Sequence, residues 1–441
     1  MLEYRHNISL ILQTWRKHMK KFTKLLLLLL CLMLLFTAGC TDGSYNSKEI
    51  QGNDSAVGVQ HVRQIVAADN KTGRTIMWQA EAEQEYTLEY RLAGSNDSKT
   101  ISTKKKTFQE AGTTYIQYAA SLSDLEAGSK YQYRINTVKE KGAWHELTTD
   151  SGKNFTALIF PDSQSNDYSG WQKLARDAQT RHQETQLYIN LGDLVDNGQD
   201  ASQWRAWFNS VEPFSDKLAF APVIGNHEAY SLQWKTTQPV SYTNLFQVPA
   251  NGLAKYPNQF YSFDYGPVHF AVLNTNFYEA KDWQPQLLQD QLQWLTQDLA
   301  QSKAKWKVVL QHRDIFMYTF GKESGRPQRP TEFLDFSREL IPIFEKYNVD
   351  AVLSAHLHTY RRRVPLRNFV PANDGITYIL AGVAGNVRYP KLWGEFAWDA
   401  ARAPQPETAN YMTLEAEANK LTFKAYLSDG KQFDEVVISK G

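Results

Sequence analysis

Cysteine is nearly absent from this chain. Its 441 residues include two cysteines, Cys31 and Cys40, and Cys31 lies inside an apolar run near the N-terminus. A disulfide framework is therefore excluded as the source of stability. With 42% hydrophobic and 22% charged residues, the composition instead provides for a sizeable buried core and is not that of a disordered chain.

Long hydrophobic runs are confined to residues 25–36, which follow a basic segment and precede the small residues 37–39 and Cys40. This run is too short to span a bilayer, so the pattern predicts a secretory signal. It resembles a bacterial lipoprotein signal, which ends in a lipidated cysteine. We therefore expect residues 1–40 to be a signal peptide that truly starts at Met19. We expect lipidation at Cys40 and an exported protein anchored to a membrane of the cell envelope; secretion after an ordinary cleavage is the alternative.

An excess of basic charge is also lacking. Without residues 1–39, 42 basic residues (48 less the six in that stretch) face 46 acidic ones (47 less Glu3), which gives a net charge of −4. Proteins that bind nucleic-acid polymers usually present a basic surface. We expect no such partner.

The remaining chain divides into three parts by pattern. Residues 41–56 are rich in Gly, Ser, Asn and Asp and predict a flexible linker. Residues 57–153 contain short alternating strands separated by turns, which predicts a small all-β sandwich that resembles a fibronectin type III domain. In residues 154–441 apolar strands alternate with helical stretches, and the last strands, between residues 411 and 439, form a pair. This part predicts a layered α/β domain.

Five groups of polar residues stand at the carboxyl ends of predicted strands in the α/β domain. They are Asp162 with Gln164; Asp193 with Asp196; Asn226, His227 and Glu228; His312; and His356 with His358. Because ligands of layered α/β folds gather at the carboxyl ends of strands, these side chains can converge. The structural alternatives are that Asp162 and Asp193 cap helices and that His312 fills the core.

The chemistry of these side chains indicates metal ions. Carboxylate, amide and imidazole groups suit Mn, Fe, Zn or Mg and not metals that seek thiolates. The donors outnumber what one ion needs, so two ions that share a carboxylate are the economical interpretation. Two ions about 3.5–4 Å apart polarise phosphoryl oxygens and lower the pKa of a bound water.

The ordered motifs GD, GNH[DE], VxxH and GHxH resemble the signature of the calcineurin-like metallophosphoesterases. With the preceding sandwich, the chain is similar to purple acid phosphatases. The resemblance implies a four-layer metallophosphoesterase sandwich and two divalent or trivalent metal ions bridged by Asp193. It also implies roles for the other residues: Asp162 and His358 at the first ion; Asn226, His312 and His356 at the second; His227 in contact with substrate phosphate and as proton donor; and Glu228 orienting the far nitrogen of His227. From the residues themselves we further expect Gln164 at the first ion, and Asn226 and Arg361 in contact with substrate phosphate.

The chain departs from its relatives at four positions. Asp196 stands where purple acid phosphatases have an iron-binding tyrosine. We therefore do not expect the purple colour that a tyrosinate–iron bond gives. Gln164 replaces a common histidine and binds metal either directly or through water. Pro161 and Ala355 replace glycines. For Arg361 a solvated basic turn is the alternative to a phosphate contact.

The segment that carries His356 and His358 is expected to be extended. Side chains two residues apart in an extended segment point to the same face. The two imidazoles would then reach two different ions, while Leu357 turns into the apolar layer.

We therefore expect a metal-dependent phosphoric ester hydrolase that attacks with metal-bound hydroxide. An acid-phosphatase-like phosphomonoesterase acting on a phosphorylated small molecule is favoured. A phosphodiesterase or nucleotide hydrolase is the alternative within the same chemistry. From another class, the alternative is a cell-surface binding lipoprotein with a degenerate metal site.

Overall fold

The computed structural model describes residues 55–316, 335–388 and 398–441. The predicted signal peptide, Cys40 and nearly all of the predicted linker lie outside these residues. Within the described ranges, we find no helix with the length and apolar character needed to cross a membrane. The described residues belong to one compact unit.

The N-terminal part of this unit is a sandwich of two antiparallel sheets. Its strands are β1 (Val59–Ile65), β2 (Arg74–Ala80), β3 (Tyr86–Leu92), β4 (Lys99–Ser102), β5 (Lys104–Glu110), β6 (Thr113–Leu122), β7 (Lys130–Thr137) and β8 (His145–Thr148). One sheet has the order β1-β2-β6-β5 and the other β4-β3-β7-β8. Trp78 is fully buried between them, stacked on Tyr118 with its ring edge against Tyr86. Such packing of large aromatic rings gives a small sandwich most of its buried apolar area.

The following part alternates strands and helices. The first half comprises β9 (Phe155–Phe160), α1 (Ser169–Arg181), β10 (Leu187–Asn190), α2 (Ala201–Ser215), β11 (Ala219–Pro222), α3 (Val240–Leu245), β12 (Tyr261–Tyr265) and β13 (Val268–Val272). Next come α4 (Phe277–Ala280), α5 (Leu287–Gln301), β14 (Trp306–Arg313), α6 (Asp335–Lys346) and β15 (Ala351–Ala355). The last strands are β16 (Tyr360–Arg363), β17 (Leu366–Arg367), β18 (Val370–Pro371), β19 (Thr377–Ala381), β20 (Asp399–Arg402), β21 (Asn410–Ala416), β22 (Lys420–Leu427) and β23 (Gln432–Ser439).

Two mixed sheets form the middle layers of this domain. The seven-stranded sheet has the order β12-β13-β14-β15-β19-β16-β20. Val308 and Leu310 on β14 pack in the core between the sheets, whereas Val309 packs in the core under α5 and α6. This alternation is the two-residue period of a strand buried on both faces. Residues of helices α1 and α2 belong to the same core cluster as Val308 and Leu310, and these helices cover the second, ten-stranded sheet. The predicted four-layer α/β domain behind a β sandwich is confirmed.

The second sheet is continuous with the sandwich. Its order is β23-β22-β21-β9-β10-β11-β1-β2-β6-β5, so β1 of the sandwich pairs in parallel with β11 of the α/β domain. The Oγ of Ser215 donates to the carbonyl of Val62 at 2.8 Å, and Gln64 donates to the carbonyls of Glu146 and Asp216. Backbone pairing thus crosses the predicted boundary between residues 153 and 154. That this boundary separates two domains stays a prediction.

One prediction of local structure and one structural alternative are wrong. The C-terminal segment forms the three strands β21, β22 and β23 and not a pair. Asp162 and Asp193 cap no helix, because α1 begins at Ser169 and the N-cap of α2 is Asp200, whose carboxylate accepts from two backbone N–H groups. The structural alternative for the two aspartates therefore fails.

Candidate metal centre

The two sheets bring the five polar groups together. Asp162, Asp193 and Asn226 follow β9, β10 and β11, which are parallel neighbours in one sheet. His312 lies near the end of β14 and His356 directly follows β15, its parallel neighbour in the other sheet. The carboxyl ends of both sheets face one site, as the sequence predicted.

Two clusters of possible metal ligands share Asp193. The ligand atoms of Asp162, Asp193 and His358 lie within 4.8 Å of one another, and so do those of Asp193, His312 and His356. We call Asp162, Gln164 and His358 the first ligand group, and Asn226, His312 and His356 the second ligand group. The shared carboxylate is what a bridged pair of ions requires.

The second ligand group converges on one point. The Nε2 of His312 lies 3.1 Å from Oδ2 of Asp193 and 3.1 Å from Oδ1 of Asn226. The Nδ1 of His356 lies 3.2 Å from the same nitrogen. The oxygens of Asp193 and Asn226 thus both direct lone pairs at one nitrogen of His312, which can hold only one proton, so this arrangement fits a metal ion.

The first ligand group contains buried oxygens that accept no hydrogen bond. The Nε2 of His358 lies 3.4 Å from Oδ1 of Asp162 and 3.0 Å from the amide nitrogen of Gln164. Asp162 and Gln164 are both fully buried, yet Oδ1 of the first and Oε1 of the second have no hydrogen-bond partner among the residues that the structure describes. Leaving such an atom unsatisfied costs about 1–3 kcal/mol, and more when it is charged. A bound cation would remove that cost, so these residues fit a metal ion as well.

Backbone carbonyls orient three of the four histidines of the site. The Nδ1 of each lies 2.7–2.9 Å from a carbonyl oxygen: His227 from that of Asp196, His312 from that of Leu191, and His358 from that of Val387. A carbonyl oxygen can only accept, so Nδ1 donates and Nε2 is presented to the site. Because the contact to His227 comes from the backbone, it does not depend on the aspartate side chain that replaces tyrosine at position 196.

The expected role of Glu228 is wrong. Its carboxylate does not orient His227, whose far nitrogen is bonded to the carbonyl of Asp196. Instead it accepts from the backbone N–H groups of Asp193, Leu194 and Gly225 at 2.7–3.0 Å. Glu228 therefore ties the loop that carries Asp193 to the turn that carries Asn226. The sequence offers no signal for this contact, because the Glu228 side chain bonds to a backbone group about 35 residues away in the chain.

The expected extended geometry around Leu357 is also wrong. The φ angles of His356 and His358 are +76° and +52°, and the Leu357 N–H donates to the carbonyl of Ala355 at 2.9 Å. Leu357 is half-buried and not turned into the apolar layer. Asp193 also has a positive φ, of +48°. Each such residue costs about 1–3 kcal/mol, so three metal-ligand candidates are held in backbone conformations that only the surrounding fold stabilises.

Two glycines are required by the close approach of these loops. A Cβ at Gly225 would lie 2.1 Å from Oδ1 of Asp193. Gly192 has a φ of +98°, and a Cβ there would lie 2.5 Å from Nδ1 of His312. Both positions exclude any side chain, so the glycines of the GD and GN motifs allow the two loops to meet.

The charges of the site are strongly coupled. Burial lowers the pKa of His312, but Asp193 and Asp162 outweigh it and raise this pKa to about 9. Burial raises the pKa of Asp193, but His312 and His227 outweigh it and hold this pKa well below its usual value. Burial and the neighbouring Arg313 lower the pKa of His356, so this imidazole is neutral. A neutral imidazole is the form that binds metal.

Two arginines need separate comment, one that the sequence pointed to and one that it did not. Arg361 lies buried in β16 and its guanidinium pairs with Asp399, so the alternative of a solvated turn is wrong and its phosphate contact stays a prediction. Arg313 was missed: its guanidinium lies 3.3 Å from Nε2 of His356 and pairs with Glu279 at 2.5 Å. Its position directly after His312 was the available signal.

Family models match two parts of the chain. Residues 147–360 match the model described as Calcineurin-like phosphoesterase, and residues 59–149 match that described as Purple acid Phosphatase, N-terminal domain. The resemblance stated from the motifs is therefore confirmed.

Individual relatives agree with these matches. Purple acid phosphatase 23 of Arabidopsis thaliana is 30% identical over 207 residues, which are 45% of this chain and 41% of that protein. Probable inactive purple acid phosphatase 27 of the same plant is 26% identical over 329 residues, 61% of this chain and 49% of that protein. This chain therefore spans less than half the length of these two relatives. The solved purple acid phosphatase from yellow lupin (Lupinus luteus) seeds superposes with a TM-score of 0.71 at 18% identity, covering 87% of this chain and 74% of that one, and shows the shared fold.

Proposed function

Because the chain joins a purple acid phosphatase N-terminal domain to a calcineurin-like phosphoesterase domain, we propose that it is a metal-dependent hydrolase of phosphate monoesters. The observation that carries the proposal is the pair of ligand clusters that share Asp193. The fold alone does not choose between monoesters and diesters, and our preference for monoesters rests on the resemblance to acid phosphatases.

The two ligand groups would hold one metal ion each. The first would use Asp162, His358 and the amide of Gln164, the second Asn226, His312 and His356. When bound, the ions would withdraw charge from the phosphoryl oxygens and make a water acidic enough to attack at neutral pH. Which metals are bound is a matter for experiment; the oxygen and imidazole ligands suit Fe, Mn, Zn and Mg.

The position of His227 supports a role for it in acting on the substrate. Its side chain is partly exposed and its Nε2 lies 4.0 Å from Oδ2 of Asp193, at the border of the ligand clusters. Its Nδ1–H is bonded to the carbonyl of Asp196. The nitrogen that faces the site is thus Nε2, a position that suits a general acid acting on the leaving oxygen.

The test is a panel of phosphate monoesters and diesters, assayed with Mn, Fe, Zn and Mg in turn. We expect the monoesters to be hydrolysed and Asp193→Asn to lower kcat/KM by about 1000-fold or more, because several kcal/mol of charge stabilisation are lost. His227→Ala should lower kcat while about two ions remain bound per chain. Hydrolysis of diesters alone would favour a phosphodiesterase. Fewer than about one ion per chain would favour a binding protein with a degenerate site.

We also propose that the protein is exported and anchored through lipidated Cys40. The apolar run 25–36, the small residues before Cys40 and the lack of a cysteine partner after removal of residues 1–39 support this proposal. In a bacterial host, the wild type should sediment with membranes and take up a radioactive fatty acid, whereas Cys40→Ser should do neither. Wild-type protein free in the medium would favour secretion instead.

A further inference from the structure

Aromatic side chains border His227 on the solvent side of the site. The ring of Tyr230 lies 5.4 Å from the imidazole and that of Trp234 5.9 Å, both nearly perpendicular to it. The two aromatic rings are 6.1 Å apart. Trp234 is 57% exposed, although tryptophan is usually largely buried. An exposed indole beside the proposed proton donor therefore calls for an explanation.

A rigid turn holds Trp234 in this position. Its N–H donates to the carbonyl of Ser231, and the N–H of Ser231 donates to the carbonyl of Lys235, both at 2.8 Å. The side chain of Asn197 donates to the carbonyl of Ser231 at 2.6 Å, which fixes the turn to the loop after β10. Trp234 itself has a φ of +57°. A left-handed conformation costs about 1–3 kcal/mol in a non-glycine residue, and the exposed ring recovers little of this by burial.

Tyr230 links the exposed indole to the ligand groups. The tyrosine is half-buried, and burial together with the negative charge of Glu279 raises its pKa, so its hydroxyl stays protonated. Glu279 pairs with Arg313, the guanidinium next to His356. Trp234, Tyr230 and His227 thus line one side of the approach to the second ligand group.

We propose that Trp234 and Tyr230 form a subsite for the leaving group of the ester and favour leaving groups with a planar aromatic ring. The inference rests on the proposed phosphatase function. A phosphate held at the ligand groups has its ester oxygen near His227, and the group beyond that oxygen then meets the two rings. Aromatic rings bind one another through stacked or edge-to-face contacts, which an aliphatic alcohol cannot make.

The discriminating quantity is a selectivity ratio. We would measure kcat/KM for phenyl phosphate, adenosine 5′-monophosphate and glycerol 2-phosphate in the metal-loaded wild type, Trp234→Ala and Trp234→Phe. The intrinsic reactivity of each ester is the same for all variants. We therefore compare, between variants, the ratio of kcat/KM for an aromatic ester to kcat/KM for the aliphatic ester. Loss of ring stacking should lower this ratio by roughly tenfold in Trp234→Ala, and Trp234→Phe should retain most of it. Comparison of phenyl phosphate with the nucleotide shows whether the subsite prefers a simple aryl group or a base carried on ribose.

Leu232→Ala is the matched control, because Leu232 is 48% exposed in the same turn and has no ring. It should leave the ratio unchanged. An equal change of aromatic and aliphatic kcat/KM in Trp234→Ala, or no change in either, would overturn the subsite.

A second measurement separates this inference from the proposed function. The inhibitors benzylphosphonate and ethylphosphonate are not hydrolysed, and their dissociation constants can be measured by calorimetry. We expect benzylphosphonate to bind the wild type more tightly than ethylphosphonate does. Its affinity should fall by about tenfold in Trp234→Ala. If no ester is hydrolysed but this binding difference is found, the proposed function fails and the subsite stands. Equal binding of both phosphonates to the wild type overturns the subsite whatever the activity.

Discussion

Two buried histidines on neighbouring strands, His269 in β13 and His312 in β14, have similar charges around them but different lone-pair geometry. Burial lowers the pKa of His269, but hydrogen bonds to Asp264 and Asp298 outweigh it and raise this pKa to about 9. The pKa of His312 is likewise raised to about 9 by two aspartates. A shifted pKa therefore does not distinguish the two sites.

The difference lies in what each nitrogen faces. The two ring nitrogens of His269 each contact one carboxylate oxygen, at 2.7 and 2.9 Å, so one protonated ring satisfies both partners. Around His312, one nitrogen faces a carboxylate, an amide oxygen and a second imidazole together. One proton cannot fully satisfy both oxygens, but a cation can. We infer that convergence of lone pairs, and not the pKa, separates a metal site from a buried ion pair in this protein.

The largest expected effect is a contrast between His312→Asn and His269→Asn. His312→Asn should reduce bound metal from about two ions per chain towards one and lower kcat/KM by about 1000-fold, because a metal ligand is lost. His269→Asn should leave metal content and activity unchanged and lower the free energy of unfolding by about 3 kcal/mol, because two carboxylates lose their cation. Metal analysis, kinetics and urea unfolding measure the three quantities. Loss of metal in His269→Asn would break the comparison.

The next effect is the dependence of stability on pH. The folded pKa of His269, about 9, lies above the ordinary histidine value of 6.5. Its contribution is thus fully present below about pH 6.5 and is lost as pH rises through 9. With saturating metal, the wild type should exceed His269→Asn by at most about 3 kcal/mol at pH 6, and the difference should nearly vanish at pH 10. A difference that does not change with pH would show that His269 acts through packing alone.

The smallest expected effect is that of Glu228→Gln. The amide would turn an N–H towards backbone donors that now bond to the carboxylate, so the loop of Asp193 should loosen. Outer-shell changes of this kind typically cost 10–100-fold in metal affinity. Titration with metal measures this, and Glu81→Gln is the control, since this exposed carboxylate accepts from Gln60 far from the site. Equal metal affinity in both variants would contradict the role given to Glu228.

The sequence could point to the metal-ligand candidates, whose side chains the structure brings together, because they lie in short motifs at the ends of strands; that they bind metal stays a prediction. Asp193 and His358 could be identified without any knowledge of packing beyond the rule that strand ends converge. Glu228 lies in such a motif too, yet its role was mistaken, because its partners are backbone groups of another loop. Trp234 follows His227 by seven residues, but its exposure beside the imidazole depends on a left-handed turn that no sequence pattern indicated.

By itself, the sequence determined the β sandwich, the layered α/β domain and the residues at the ends of its strands, because hydrophobic period and residue chemistry are local properties. Only the tertiary structure decided that β1 extends the sheet of the α/β domain, that Asp193 belongs to both ligand clusters, and that backbone carbonyls orient the histidines. These facts depend on distances between segments far apart in the chain. Such distances are set by the packing of the sheets and their loops, and no short stretch of residues encodes them.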